Sequence, residues 1–164
     1  MRKNPLVKDV TVDVQILIIA VGKSSSDMNS RFGKKAIEFM DMIKGNNVYF
    51  LAMDSKGLIK DQYKRDLEGT FGMKWLEQMA KNDKVKIVTW KNINHADSVA
   101  LQEEGFHFGN LEDRKYVVTA WKSICGVLIS LDSNDYTNSV REVLRKKLKV
   151  YVYGCDSFMK LCAG

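Results

Sequence analysis

Short apolar runs alternate along this chain with stretches whose apolar residues recur at helical spacing, and that alternation restricts it to α/β architecture. Strand candidates are residues 7–12, 48–52, 85–89, 126–130 and 150–153. Helical spacing predicts helices over 30–43, 58–68, 73–81, 96–104, 111–123, 138–147 and 157–161. The connections are short, and parallel strands joined through helical crossovers use connections of that kind. The expected fold is therefore a three-layer α/β/α arrangement around a central, mainly parallel sheet of about five strands. At 164 residues the chain suffices for one domain with a real core. No repeat, low-complexity tract or linker interrupts it, so residues 1–164 read as one unit.

Local punctuation supports this division. Gly45-Asn46-Asn47 is a turn cluster, and Gly105 and Gly109 bracket a loop through Phe106-His107-Phe108. Residues 135–137 and Asn138 supply N-cap candidates for the helix through Val140 and Leu144. The segment 14–21 stays open. Its run Ile16-Leu17-Ile18-Ile19 suits a buried strand, and equally a buried helix following a strand that ends at Asp13.

Composition narrows the class. Apolar residues make up 45% and charged residues 28%, with a single proline, which is the balance of a globular protein and not of a disordered one. The longest apolar stretch, Ile16 to Val21, is far below the roughly 20 residues that span a bilayer. The basic start Met1-Arg2-Lys3-Asn4 leads into no signal-type apolar segment, so a cytoplasmic protein without a membrane partner is expected. Cys125, Cys155 and Cys162 lack C-x-x-C spacing and lie far in sequence from His95 and His107, which argues against zinc; their odd number argues against a disulfide framework.

The net charge of +6 favours an acidic partner. Arg141, Arg145, Lys146, Lys147 and Lys149 form the densest basic group, with smaller ones at Arg31, Lys34, Lys35 and at Lys64, Arg65. The run Leu17 to Ser24 resembles the second half of a phosphate-binding loop, but Leu17 stands where the first glycine belongs. The segment 23–29 then reads as a polar loop bordering a site.

Four widely spaced aspartates, Asp13, Asp61, Asp113 and Asp132, each lie at the edge of an apolar segment, where an α/β fold gathers reactive residues. Asp113 opens a helix and Asp132 closes the next strand, so both can meet at one end of a parallel sheet. Converging carboxylates repel, which raises their pKa values and favours a divalent cation that relieves the repulsion. Individually, Asp113 also suits a helix N-cap, worth about 1 kcal/mol, Asp132 suits a turn, and Asp61 suits a solvated helix face. Glu112 and Asp135 are secondary candidates.

Three sequence blocks resemble the motifs of the PIN-domain metal-dependent ribonucleases. Val12-Asp13-Val14-Gln15-Ile16-Leu17-Ile18 is similar to the first, an apolar strand ending in Asp before an apolar helix, with Gln15 where Asn is usual. Asp113-Arg114-Lys115-Tyr116-Val117-Val118-Thr119-Ala120 is similar to an acid capping a helix of small and apolar residues. Ile129-Ser130-Leu131-Asp132-Ser133-Asn134-Asp135-Tyr136 is similar to a strand ending in Ser, one residue, then Asp. Residues 149–153 and 156–159 resemble the closing strand and short helix.

The resemblance implies a PIN-like fold, 14–21 as helix, and Mg²⁺ or Mn²⁺ held by Asp13, Asp113 and Asp132, with Asp61 and Asp135 as further ligands. Its second acidic motif is displaced here: Gln62 stands where a glutamate is usual, and Asp61 precedes it by one residue. The implied activity is RNA phosphodiester hydrolysis, as in toxins of toxin–antitoxin pairs or RNA-processing enzymes. An antitoxin and a second copy are implied partners. Lys23, Arg114 and Lys115 would hold flanking phosphates, with Gln15 and Ser130 as further substrate-binding residues and Ser130 also orienting the site by hydrogen bonding. A non-catalytic PIN-like module binding RNA or protein is the alternative. A phosphoryl-accepting signalling domain would need an acidic pair and a downstream lysine that the sequence does not place.

Overall fold

The computed structural model describes residues 8–22, 28–89, 95–104, 111–131 and 136–163; for 28–30 and 111–113 it describes the backbone alone. Five parallel strands form one sheet in the order β3-β2-β1-β4-β5. They are β1 (Lys8–Val12), β2 (Tyr49–Asp54), β3 (Val85–Val88), β4 (Val127–Ile129) and β5 (Tyr151–Tyr153). The helices are α1 (Val14–Ala20), α2 (Met28–Gly45), α3 (Leu58–Leu67), α4 (Phe71–Lys81), α5 (His95–Glu103), α6 (Leu111–Lys122), α7 (Asn138–Val143) and α8 (Cys155–Ala163). A π-helical turn, Leu144–Leu148, continues α7. This is a three-layer α/β/α fold, and its wholly parallel sheet agrees with the strand–helix alternation of the sequence.

The open segment 14–21 resolves as helix. Asp13 leaves the strand with extended backbone, φ −62° and ψ 136°, and its side chain accepts a hydrogen bond from the Gln15 N–H, so the chain enters α1 through a side-chain N-cap. Val14, Ile16, Leu17 and Ala20 are buried. The β-branched run would favour a strand by propensity alone, but packing against α2 and α3 overrides that preference.

Most other boundaries move by one or two residues or not at all. Thr137 caps α7 by accepting from the Val140 N–H at 3.3 Å. The turn at Gly45-Asn46-Asn47 closes with the Asn46 side chain accepting from the Val48 N–H at 2.8 Å. Residues 28 and 29, read from sequence as loop, open α2. The predicted loop at 105–109 lies outside the described residues.

Register follows hydrophobicity. Val10 and Val12 occupy one face of β1, whereas Asp9 and Thr11 share the other by the two-residue period of a strand. Both carboxylate oxygens of Asp9 are used beside the end of α6, accepting from Ile124 N–H at 2.9 Å and Cys125 N–H at 2.8 Å. At the opposite flank Phe158 of α8 stacks edge-on with Phe39 and Tyr49, each centroid 5.9 Å away. The edge strand β3 carries Lys86 and Ile87 outward, and among the described residues no helix is long and apolar enough to cross a membrane.

One lysine fastens two elements. Lys84, just before β3, is buried at 7% exposure and donates through Nζ to the carbonyls of Ile43, Lys44 and Asn46. Helix C-termini leave carbonyls unpaired and carry partial negative charge, so an ammonium group satisfies both needs. Burial pulls its pKa below the usual lysine value. Replacing Lys84 by Met would keep the volume and leave those carbonyls without that donor. The expected loss is about 1–3 kcal/mol, read as a lower urea midpoint with an unchanged slope.

Candidate functional site

β1 is the central strand, and its C-terminal end delivers Asp13 to the middle of the sheet edge. Hydrogen bonds to three different partners help to fix that residue. Its N–H donates to the Ile129 carbonyl of β4 at 2.9 Å. Its Oδ1 accepts from Gln15 N–H at 3.1 Å, and its Oδ2 accepts from the Ser130 hydroxyl at 3.2 Å. Ser130 is itself held by β5, donating its N–H to the Tyr153 carbonyl at 2.9 Å. Asp13 and Ser130 are both buried, at 5% and 1% exposure, so the carboxylate is oriented by structure and shielded from bulk water.

Two tyrosines close the surroundings. Tyr63 of α3 is fully buried and donates its hydroxyl to the Val12 carbonyl, one residue before Asp13. Burial pushes its phenol well above the ordinary 10.0, and the negative charge of Asp13 adds to the rise. Tyr116 of α6 accepts from the Val14 N–H at 3.2 Å and donates its own proton to Gln62 Oε1 at 2.5 Å. A polar relay thus runs from the first turn of α1 through α6 to α3. It uses one of the N–H groups that a helix start cannot pair internally.

The sequence-derived candidates sort clearly. Asp13 and Ser130 are joined by a hydrogen bond. Gln15 is exposed on the first turn of α1 beside them. Gln62, half-buried, faces the relay, while Asp61 is exposed one position earlier, about 100° further round the helix. Lys115 is buried at 5% exposure with its Nζ 5.3 Å from the Tyr116 ring centroid, and Arg114 is half-buried beside it. Position 113 lies in the first turn of α6, three residues before Tyr116 and therefore on the same helix face, with no description of its side chain. Lys23, Asp132 and Asp135 lie outside the described residues; in sequence, Asp132 follows Ser130 by two.

Sequence reasoning missed the work of Tyr116 and of Asp54. Asp54 ends β2 at the same sheet edge, 3% exposed, and resembles a site acid by position. Its oxygens accept from Leu58 N–H at 2.9 Å and Ile59 N–H at 2.8 Å, so it caps α3 across the turn at Gly57, whose φ of 77° suits glycine. The signal was present as an Asp four residues before the first helical residue, with Gly between.

Among the described residues no group of three or more His, Cys, Asp or Glu side chains is placed to hold a metal ion. Described oxygen donors around Asp13 include its own carboxylate, the hydroxyls of Ser130 and Tyr116 and the Gln62 amide, while the Asp54 carboxylate at the same edge is taken up in capping α3. No model of a known protein family matches the chain, and no curated protein is detectably similar to it.

The Tyr63 phenol sets a pH dependence. Its folded pKa exceeds its unfolded value, so above about 10.0 the unfolded chain releases a proton that the folded one retains. Stability is therefore lost as pH rises beyond that value. Tyr63→Phe is expected to be less stable at neutral pH, by about 1–3 kcal/mol for the unpaired Val12 carbonyl, with a shallower alkaline decline. Urea unfolding across an alkaline pH series measures both.

Proposed function

We propose that this chain is a PIN-like, metal-dependent endoribonuclease with its site at the Asp13 edge of the sheet. The observation that carries the reading is the environment of Asp13 itself. It is a buried carboxylate at the end of the central strand, aimed by a serine hydroxyl and a helix-start N–H, next to the first half of α6. Position 113 on α6 and Asp132 after β4 are the acids that would join it, with Asp135 as a further candidate.

The donor chemistry fits Mg²⁺ or Mn²⁺, since carboxylate and amide oxygens are the hard ligands those ions take. Asp13, Asp113 and Asp132 would hold the ion, which supplies a means of activating water and of stabilising charge on a leaving oxygen. The chain's own residues supply position. Ser130 keeps Asp13 in one rotamer, and the Tyr116–Gln62 pair fixes α3 and α6 against the start of α1. Gln15, exposed beyond the cap, is placed to contact substrate. Lys23 and the half-buried Arg114 would neutralise phosphates flanking the cleaved bond, whereas Lys115 is buried and could act on them only through its charge at a distance. The substrate is RNA, and a toxin or an RNA-processing role in the cytoplasm suits it, with an antitoxin or a second copy as protein partner.

A second reading rests on Gln62. The side chain that faces the relay from α3 is an amide, and Asp61 is exposed beside it, so this edge has less negative charge than a fourth inward carboxylate would give. A PIN-like module that binds RNA or a protein partner without turnover would look the same.

Cleavage of a labelled mixed-sequence RNA pool with Mn²⁺, Mg²⁺ or EDTA separates the two. The nuclease reading expects metal-dependent cleavage that Asp13→Asn, Asp113→Asn and Asp132→Asn each abolish while retaining the wild-type circular dichroism spectrum. Full activity in those variants would overturn the site. Gln62→Glu keeps an acceptor for the Tyr116 hydroxyl and adds a charge, so Mn²⁺ affinity by calorimetry is expected to rise about tenfold. An unchanged affinity would place the metal elsewhere.

A further inference from the structure

A groove of about 310 Å³ opens between the C-terminal part of α6 and the β3 edge of the sheet, away from Asp13. Asp9, Lys86, Ile87, Thr89, Lys122 and Ile124 are among its walls. Register places its components. Asp9 of β1 pairs with Phe50 of β2, and Ala52 of β2 pairs with Lys86 of β3, so the groove crosses three strands.

Its mouth is cationic and its walls are partly apolar. The Lys86 Nζ stands 4.7 Å from the Phe50 ring centroid and the Lys122 Nζ 3.7 Å from that of Trp121, so both ammonium groups rest on aromatic faces. Neither lysine has an ion pair among the described residues. Ile124, just past α6, is 44% exposed, unusually open for isoleucine, whereas the Ile87 side chain, one residue on from Lys86 in β3, faces the other side of the sheet. The Asp9 carboxylate is 2% exposed and engaged by two backbone N–H groups, so the lysines set the sign at the surface. Paired cations, a hydroxyl from Thr89 and exposed aliphatic surface are complementary to a nucleotide, whose phosphate needs the first two and whose base covers the third.

We propose that this groove binds one nucleotide of a single-stranded RNA, its phosphate between Lys86 and Lys122 and its base against Ile124. The identity of the strand rests on the ribonuclease reading; the phosphate site does not. Asp9 and Asp13 are four residues apart on an extended strand, about 13 Å, so a strand crossing the carboxylate edge reaches the groove within a few nucleotides.

The test uses the full chain carrying Asp13→Asn, in EDTA, so that bound RNA stays intact. Fluorescence anisotropy of a labelled single-stranded RNA is measured across a salt series for this protein, for Lys86→Glu with Lys122→Glu, and for Lys74→Glu with Lys81→Glu. The last pair changes net charge equally on exposed positions of α4, a helix that packs against α1, α2 and α3. The groove pair is expected to lose about tenfold in affinity at low salt and to flatten the log–log salt slope by about 0.7, the value for one single-strand phosphate contact, while the α4 pair keeps the slope. Equal losses in both pairs, or no loss in either, would overturn the proposal unless the free-nucleotide arm responds.

That arm titrates uridine monophosphate while following Trp121 emission, with Trp121→Phe as the blank. Saturable quenching that disappears in the groove pair, without any change in RNA affinity, would assign the same phosphate site to a free nucleotide. Absence of both responses overturns it. A groove pair that weakens RNA binding in a protein whose wild type cleaves nothing removes the nuclease reading and keeps the groove; cleavage with no groove effect does the reverse.

Discussion

The Asp13 carboxylate is the constraint on which the sheet edge depends. A single buried anion ends the central strand, caps the first helix and receives a hydroxyl from the neighbouring strand. Burying an ion without partners is expensive, so the surroundings must supply donors at fixed positions. Those donors come from the end of β4 and from α1, and on α3 the same charge adds to the burial that raises the Tyr63 phenol. The geometry that makes the residue available for chemistry is therefore inseparable from the geometry that makes it tolerable to the fold.

The architecture was legible because it rests on period and punctuation, which are local. All five strands lie where the apolar runs place them, and the helices follow with small shifts at their ends. The segment 14–21 was not decidable by period, because a continuous apolar run fits either element; what decides it is the Asp13 cap, a contact between a side chain and a backbone two residues on. The site was legible in part. Asp13 and Ser130 meet as their strand-end positions imply, yet no pattern in one strand announces that Tyr116, 102 residues after Val14, accepts its N–H.

Asp54 and Gln62 illustrate how sequence position and chemical role separate. Asp54 has every outward mark of a catalytic acid, with burial and a strand end, but both of its oxygens are occupied in starting α3. Gln62 has no charge and sits at the relay with the Tyr116 hydroxyl on its amide oxygen. An acid committed to capping and an amide turned towards a carboxylate edge are distinguished only by which groups donate to them.

Lys84 carries a consequence for how the molecule breathes. Edge strands are ordinarily the first part of a sheet to open, since they are paired on one side only. Here the residue preceding the edge strand also closes the end of the 18-residue α2, so peeling β3 away strips the helix terminus of its donor. Local opening at that edge must therefore cost the sum of two disruptions. Amides of β3 and of the last turn of α2 should then exchange with solvent as a single cooperative unit, although they are separated by a whole strand and two helices in sequence.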